Sequence, residues 1–276
     1  MMSKSKLFIL VILLFIAACS PPSPCEMGAS PMSCDNEVTT KKPIGSWTIT
    51  ETSSSTSVSE SGSTDTFTVV LATRVPDSNV IVDISSSDTG EVTVSPSSLT
   101  FSSDNYTTAQ TVTVTGINDN LDDGNITSTI TLTFNDSQSA DESYEALADK
   151  TISVTTTDDD TLGITVTETN GSTAPMESKT DTLDITLSSE PVADVTISIT
   201  SSDIGEITVT PNSMTFSSGN FSTAQTVTLT AVQDALVDNN QNSIITFSVT
   251  SSVDASYASL ADKTFTSTAT DSLLVE

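Results

Sequence analysis

The residues best suited to chemistry in this chain are carboxylates, which gather at the ends of predicted strands. Asp158, Asp159 and Asp160 directly follow the Thr-rich stretch 154–157. Three adjacent negative charges repel one another, so a folded chain holds them best beside a cation. Oxygen ligands without His or Cys suit hard cations, and Ca²⁺ takes about six to eight oxygens whereas Mg²⁺ keeps several waters. The triplet therefore predicts a divalent-metal site that favours Ca²⁺.

The overall composition argues against several other classes of function. The chain has 276 residues, with 8 Lys+Arg, 36 Asp+Glu and no His, for a formal net charge of −28. Nucleic-acid phosphates require a basic surface, which this chain lacks. Without His there is no imidazole base for a Ser or Cys nucleophile, and Gly-rich phosphate loops and HExxH motifs are absent. We therefore expect neither an enzyme nor a nucleic-acid-binding protein.

The N-terminus carries a targeting segment. Lys4 and Lys6 precede the apolar run 7–16, which is too short to span a bilayer comfortably, and small residues follow it. Residues 1–18 are therefore predicted to be a signal peptide. The tetrad Ile16-Ala17-Ala18-Cys19 resembles the bacterial lipobox. This resemblance implies that Cys19 is diacylated and becomes the mature N-terminus; an ordinary signal peptide with an incidental Cys is the alternative.

A lipid-anchored Cys19 would be followed by a flexible tether. Residues 19–45 contain five prolines and show no apolar periodicity, which indicates an extended segment. Cys25 and Cys34 lie inside it and would either pair in an oxidising compartment or remain free thiols. Two or three acyl chains anchor a protein stably. We expect the chain in the cell envelope, attached to a membrane by lipid, with the outer membrane or cell surface favoured.

After the tether, the chain contains two copies of one sequence. Residues 86–94 (SSDTGEVTV) match 201–209 (SSDIGEITV), and 109–113 match 224–228, about 115 positions apart in each case. Units of this length are domain-sized, unlike the short units of a solenoid. We predict repeat 1 over residues 46–160 and repeat 2 over residues 163–276.

Apolar and polar residues alternate through repeat 1, as in Val80, Val82 and Ile84. A period of two is typical of strands with one face on a core and one face in water. Seven such strands predict an all-β sandwich. We label them A (46–52), B (65–74), C (79–86), D (91–101), E (109–117), F (126–136) and G (149–157).

Strand direction predicts where the acidic residues meet. If successive strands alternate in direction, the A–B, C–D and E–F loops and the end of strand G lie at one end of the sandwich, here called the acidic pole. Its carboxylates are Glu60, Asp88, Glu91, Asp119, Asp122, Asp123, Asp158, Asp159 and Asp160. A break at Pro96 would split strand D and reverse every later strand. Acidic turns that only keep the surface soluble are the alternative, because the opposite pole also carries Asp77, Asp104, Asp141, Glu142 and Glu145.

Several segments together resemble the Calx-beta family. They are residues 60–71, Leu99-Thr100-Phe101, residues 111–116, Asp122-Asp123-Gly124-Asn125 and Thr157-Asp158-Asp159-Asp160. The resemblance covers residues 46–160 and 163–271, and it implies immunoglobulin-like sandwiches, known from sodium/calcium exchangers and bacterial surface proteins. It also implies Ca²⁺ ligation by Glu60, Asp119, Asp123, Asp158, Asp159 and Asp160. Strand direction adds Asp88, Glu91 and Asp122 as further candidates.

Repeat 2 departs from this pattern. It keeps Glu177, Asp234, Asp238 and Asp271 at matching places. However, Val237 stands where Asp122 stands in repeat 1, and the closing triplet becomes Asp271-Ser272-Leu273. We expect its Ca²⁺ site to be weak or empty.

Two hypotheses of function follow. The first is a lipid-anchored surface module, stiffened by Ca²⁺, that adheres to a protein or matrix ligand of unknown identity. Only Thr161 and Leu162 separate Asp160 from Gly163, so an ion at the acidic pole could touch both repeats. The second is a metal-independent spacer or surface-decorating lipoprotein.

The lipid anchor is directly testable. Replacing Cys19 with Ala should abolish incorporation of labelled palmitate and release the chain from the membrane fraction, because the acylated sulfur is lost. Cys25→Ala is the matched control and should keep the label. Persistent labelling of the Cys19 variant would contradict the prediction.

Overall fold

The computed structural model describes residues 45–271 except 142, 146, 170–173 and 235–238. The predicted signal peptide, Cys19, Cys25, Cys34 and most of the tether lie outside the described residues. The described residues fall in one compact unit. Strands make up 52% of them, and the helical residues are one short α-helix at Ala255–Ala258 and a 3₁₀ turn at Thr52–Ser54. Within this part of the chain, no helix is both long enough and apolar enough to cross a membrane.

Repeat 1 forms a sandwich of two sheets. One sheet has the order β1 (Ser46–Glu51), β3 (Thr64–Ala72), β7 (Gln110–Gly116), β5 (Val92–Ser95). The other has the order β2 (Thr56–Ser59), β9 (Lys150–Thr157), β8 (Ile126–Phe134), β4 (Val80–Ser86), β6 (Ser98–Phe101). All neighbours are antiparallel except β2 and β9, which are parallel. These orders correspond to the A-B-E-D and G-F-C sheets of an immunoglobulin sandwich, which confirms the predicted fold class.

Repeat 2 has the same strand order. Its first sheet is β10 (Ile164–Glu168), β11 (Thr180–Leu187), β15 (Gln225–Ala231), β13 (Ile207–Thr210). Its second is β14 (Ser213–Phe216), β12 (Val195–Ser201), β16 (Gln241–Ser252), β17 (Lys263–Ala269). Among its described residues, a parallel bridge between Met176 and Thr270 stands where β2 pairs with β9 in repeat 1.

The alternating pattern places one face of each strand between the sheets. Phe67, Val69 and Leu71 of β3 are at most 1% exposed, while Thr68 and Val70 between them lie on the other face and are half-buried. Each repeat has its own hydrophobic core. Burial of each large apolar side chain contributes about 1.5–3 kcal/mol to folding.

Two strand predictions need correction. Strand A ends at Glu51, and after a 3₁₀ turn at Thr52–Ser54 the chain crosses to the other sheet as β2. Strand D breaks at Pro96, which has no N–H for the sheet, into β5 and β6 of opposite sheets. Because β5 runs antiparallel to β7 and β6 antiparallel to β4, both halves keep the direction predicted for strand D. The loops of the acidic pole therefore stay at one end.

Core and surface positions of β8 should respond differently to truncation. Leu132 is fully buried and Thr133 is exposed. Leu132→Ala should lower the free energy of unfolding by about 2–5 kcal/mol, because it leaves a cavity. Thr133→Ala is the neighbouring control and should cost less than about 1 kcal/mol. Similar losses in both variants, measured by urea denaturation, would contradict the assigned faces of this strand.

Candidate metal centre

The parallel pairing of β2 with β9 brings Glu60 to the end of the last strand. Thr56 lies opposite Val154, and Ser59 lies opposite Thr157. The pairing continues one step further, since the Glu60 N–H donates to the Thr157 carbonyl at 3.1 Å. Glu60 is thereby placed beside the carboxylates that follow β9, although about 100 residues separate them in sequence.

A glycine allows the close approach that completes this arrangement. A Cβ on Gly116, the last residue of β7, would lie 2.2 Å from the Ser59 carbonyl oxygen, so only glycine fits. The E–F loop leaves β7 at this point and continues to Asp119. Repeat 2 has Ala231 at the corresponding position, which is incompatible with an equally close approach.

Asp158 ties the E–F loop to the end of β9. Its Oδ2 accepts from the Gly124 N–H at 2.7 Å, and its Oδ1 accepts from the Asp160 N–H at 2.8 Å. In return, its own N–H donates to Asn125 Oδ1 at 3.1 Å. Asp119 orders the start of the loop, because its Oδ1 accepts from the Leu121 N–H at 2.8 Å. Asp158 therefore acts first as a positioning residue for its neighbours.

Three of the predicted carboxylates converge most closely. Glu60, Asp119 and Asp160, here called the carboxylate trio, each offer one oxygen, and these oxygens lie within 4.8 Å of one another. Ca²⁺ binds oxygens at about 2.3–2.6 Å, so oxygens on opposite sides of one ion are separated by a similar span. The spacing of the trio therefore matches a single Ca²⁺.

Within the trio, Glu60 is the carboxylate that a bound cation would stabilise most. Its side chain is 1% exposed, and its Oε2 has no hydrogen-bond partner. Burial, followed by the negative charge of Asp158, raises the pKa of Glu60 from 4.5 to about 7. A buried carboxylate oxygen without a donor is costly, and a bound cation would satisfy it.

Glu91 shares these properties. It is 7% exposed, its Oε2 also lacks a partner, and burial followed by the charge of Asp123 raises its pKa. Burial and neighbouring carboxylates likewise raise the pKa values of Asp123 and Asp160. The sequence predicted Glu91 only as a further candidate, and it gave no signal that this carboxylate is buried.

The remaining predicted residues have other partners. Asp88 accepts from the Gly90 N–H at 2.9 Å within its own turn. Asp122 points to the connection between the repeats, where its Oδ2 accepts from the Leu162 N–H at 2.5 Å. Asp159 is exposed, and its negative charge helps to raise the pKa of Asp160.

Repeat 2 retains only part of this arrangement of hydrogen bonds and carboxylates. Asp271 Oδ2 accepts from the Asn239 N–H at 3.3 Å, as Asp158 does from Gly124. Glu177 is half-buried rather than buried, and the turn after it is one residue shorter and contains Lys179. Asp234 lies at the end of the described part of its loop, and Asp238 lies outside the described residues. Within the described residues, only repeat 1 brings three carboxylates together as the trio does.

Known proteins show low similarity to this chain. No family model and no curated protein matches the chain. Among solved structures, the calcium binding domain CBD12 of CALX1.1 is 15% identical, covers 72% of this chain and 79% of its own, and has a TM-score of 0.35. Domains 4 and 5 of the S-layer protein SbsC are 14% identical, cover 69% and 75%, and have a TM-score of 0.29. The E. coli chaperone DraB is 11% identical, covers 75% and 92%, and has a TM-score of 0.30. At these scores, the likenesses assign no function to this chain.

The raised pKa of Glu60 predicts how stability depends on pH without metal. A carboxyl whose pKa is higher in the folded state stabilises the fold below its unfolded value of 4.5, and this contribution is lost as pH rises through about 7. Metal-free repeat 1 should therefore lose up to about 3 kcal/mol between pH 5 and 8. Glu60→Gln should flatten this dependence, whereas the exposed control Glu145→Gln should leave it unchanged. A pH profile identical in wild type and Glu60→Gln, measured by denaturation in chelator, would contradict the assignment.

Proposed function

We propose that this chain is a lipid-anchored cell-envelope protein whose repeat 1 binds Ca²⁺ and uses it to stiffen the connection to repeat 2. The observation that carries the proposal is the buried, unpartnered Oε2 of Glu60 within a group of carboxylates. The strongest charges acting on Glu60 come from Asp158, Asp119, Glu91 and Asp123, all of them negative. A divalent cation relieves both the lost solvation and the repulsion.

The E–F loop connects the metal centre to repeat 2. It supplies Asp119 to the trio, and the next residue, Asn120, accepts a hydrogen bond at 2.6 Å from the Glu190 N–H of repeat 2. Asp122 in the same loop binds the Leu162 N–H. An ion that orders this loop would thereby also stabilise the contact between the repeats.

The proposal also covers the cellular location and the kind of partner. Lipidation of Cys19 would hold the protein on the envelope, favouring the outer membrane or cell surface. Its charge of −28 keeps the polypeptide away from anionic lipid headgroups. In this role the stiffened pair of sandwiches presents an adhesive or ligand-binding surface and performs no catalysis.

Thermal unfolding tests the metal site. Residues 20–276 should be scanned in chelator, in about millimolar Ca²⁺ and in Mg²⁺; Ca²⁺ at about a hundred times its Kd adds about 2.7 kcal/mol. Glu60→Gln with Asp160→Asn should abolish this gain, because two members of the trio are lost. The same variant should hold or gain stability in chelator, since repulsion is relieved.

The matched control lies in repeat 2. Asp234→Asn with Asp271→Asn should keep the full response to Ca²⁺. Superimposable scans of wild type in chelator and Ca²⁺ would contradict the proposal and leave a metal-independent spacer. An equal gain in Mg²⁺ would contradict the choice of ion.

A further inference from the structure

The last strand of repeat 2 has an open edge. β17 pairs with β16 on one side and ends the strand order of its sheet. In repeat 1, the matching strand β9 is covered by β2 over Val154–Thr157. Among the described residues of repeat 2, that cover is reduced to the bridge between Met176 and Thr270. Within this part of the chain, the outer edge of Lys263–Ala269 therefore has no neighbouring strand.

A proline accounts for the shorter cover. Since Glu177 matches Glu60, Pro175 stands at the position of Val58 in β2. Proline has no N–H to donate to a neighbouring strand, so this segment cannot continue a ladder along β17 as β2 does along β9. Its carbonyl still accepts from the Thr270 N–H at 3.0 Å.

The free backbone groups of the edge belong to alternate residues. Thr270 bonds the segment 175–177 through both its N–H and its carbonyl, at 3.0 and 3.1 Å. Alternate residues of a strand point their N–H and C=O groups in the same direction. These groups of Thr264, Thr266 and Thr268 therefore face away from β16. A row of this kind is a template for pairing with another strand.

The sequence of β17 carries few of the features that protect natural edge strands, which are proline, bulges and inward-pointing charges. Lys263–Ala269 contains no proline, and it pairs with β16 without a register shift. Asp262 and Lys263 are the only charged residues between positions 255 and 270, and their charges cancel. In a chain with a net charge of −28, a second copy can approach this edge without local repulsion.

An aromatic side chain lies at the middle of the open edge. Phe265 packs on the core of repeat 2 but is only half-buried, whereas Ile152 at the matching position of β9 is 4% exposed. Lys150 turns back onto repeat 1, where its Nζ donates to the Trp47 carbonyl at 2.9 Å, while its counterpart Lys263 is exposed. The edge of repeat 2 thus offers apolar surface that the edge of repeat 1 does not.

We propose that β17 pairs antiparallel with β17 of a second copy of this chain, centred on Phe265. In this register, Thr264 lies opposite Thr266 of the second copy, and the two exchange both backbone hydrogen bonds, so two-fold symmetry gives about four. Phe265 lies opposite its own symmetry mate, in the closer position that favours an aromatic pair. The contact is isologous, so it closes as a dimer.

Two constraints select this register. The side chains of both copies keep their core face only if the pairing is centred on a residue rather than between two residues. Pro175 directly precedes Met176, whose bridge to Thr270 is parallel, so Pro175 lies beside Ala269. A pairing centred on Thr266 would place Lys263 of the second copy at that occupied position. Centring on Phe265 ends the pairing at Ser267 and avoids it.

Sedimentation analysis of residues 20–276 up to about millimolar concentration tests the proposal, in about 0.15 M salt to screen the overall charge. Wild type should form a dimer and no larger species. Thr264→Glu with Thr266→Glu, both at exposed positions, should weaken the dimer at least about tenfold, because like charges then lie opposite each other.

The matched control is on β14, the other edge of the same sheet. Ser213→Glu with Thr215→Glu adds the same charge at exposed positions and should dimerise as wild type does. Unchanged association of the β17 variant would overturn the proposal. So would growth beyond a dimer, or a monomer at every concentration, which is the result expected if residues of the same chain cover the edge.

Disulfide trapping tests the register independently. In a background carrying Cys25→Ser and Cys34→Ser, Phe265→Cys should give a disulfide-linked dimer, because Cα atoms in such a pair are about 4.5 Å apart, which a disulfide can span. Thr268→Cys lies three residues along the same edge, opposite Asp262 of the second copy, and should stay monomeric under the same oxidation. Equal crosslinking of both variants, or of neither, would overturn the proposal.

Discussion

The acidic pole of repeat 1 depends on one constraint, the parallel pairing of β2 with β9. That pairing holds Glu60 against the strand end where Asp158 and Asp160 follow, and Gly116 lets the E–F loop approach from the other side. Without β2, Glu60 would belong to a surface turn, where water would solvate it. With β2, its carboxylate is buried among like charges.

This arrangement has an energetic consequence for the whole site. The fold buries Glu60 and Glu91 and leaves one oxygen of each without a donor. In the metal-free state, hydrophobic burial in the adjoining core offsets the free-energy cost of these unpartnered oxygens. Protonation of Glu60 lowers that cost further, because it removes the buried negative charge. In the proposed role, a bound cation would replace the proton and interact with several carboxylates at once. Ca²⁺ and protons would therefore compete for the same groups.

The E–F loop of repeat 1 contributes both to the candidate metal centre and to the contact with repeat 2. Asp119 faces the metal centre, and Asn120 bonds repeat 2. An ion that orders Asp119 would also restrict the backbone of Asn120. Ca²⁺ binding at the acidic pole would therefore also stabilise the junction between the repeats. In repeat 2, Ala231 replaces Gly116 and the turn at Lys179 is shorter, so the arrangement that gathers the carboxylates in repeat 1 is not reproduced.

Much of the architecture could be predicted from sequence because it follows from local pattern. The period of two identified most strands, and the internal repeat identified a second sandwich. The gathering of Glu60, Asp119 and Asp160 could be anticipated from strand direction. The short strand β2 could not, because Thr56–Ser59 is polar at alternate positions and its partner is about 100 residues away. Nor could pattern show that Pro96 moves the chain between sheets while preserving its direction.

The burial of Glu91 and the hydrogen bonds of Asp158 were equally beyond reach. Both depend on packing and contacts across strands rather than on residue spacing. Asp158 is a predicted ligand, and its oxygens also accept from the Gly124 and Asp160 N–H groups.

Proton release on Ca²⁺ binding tests the central claim most directly. Titration calorimetry of residues 20–276 at pH 7, in two buffers with different ionisation enthalpies, counts the protons displaced per ion. With the pKa of Glu60 at about 7, the account predicts that about half a proton from Glu60 leaves with each Ca²⁺ bound, and that Glu60→Gln removes this release. Binding without a buffer-dependent heat, or no binding heat at all, would contradict it.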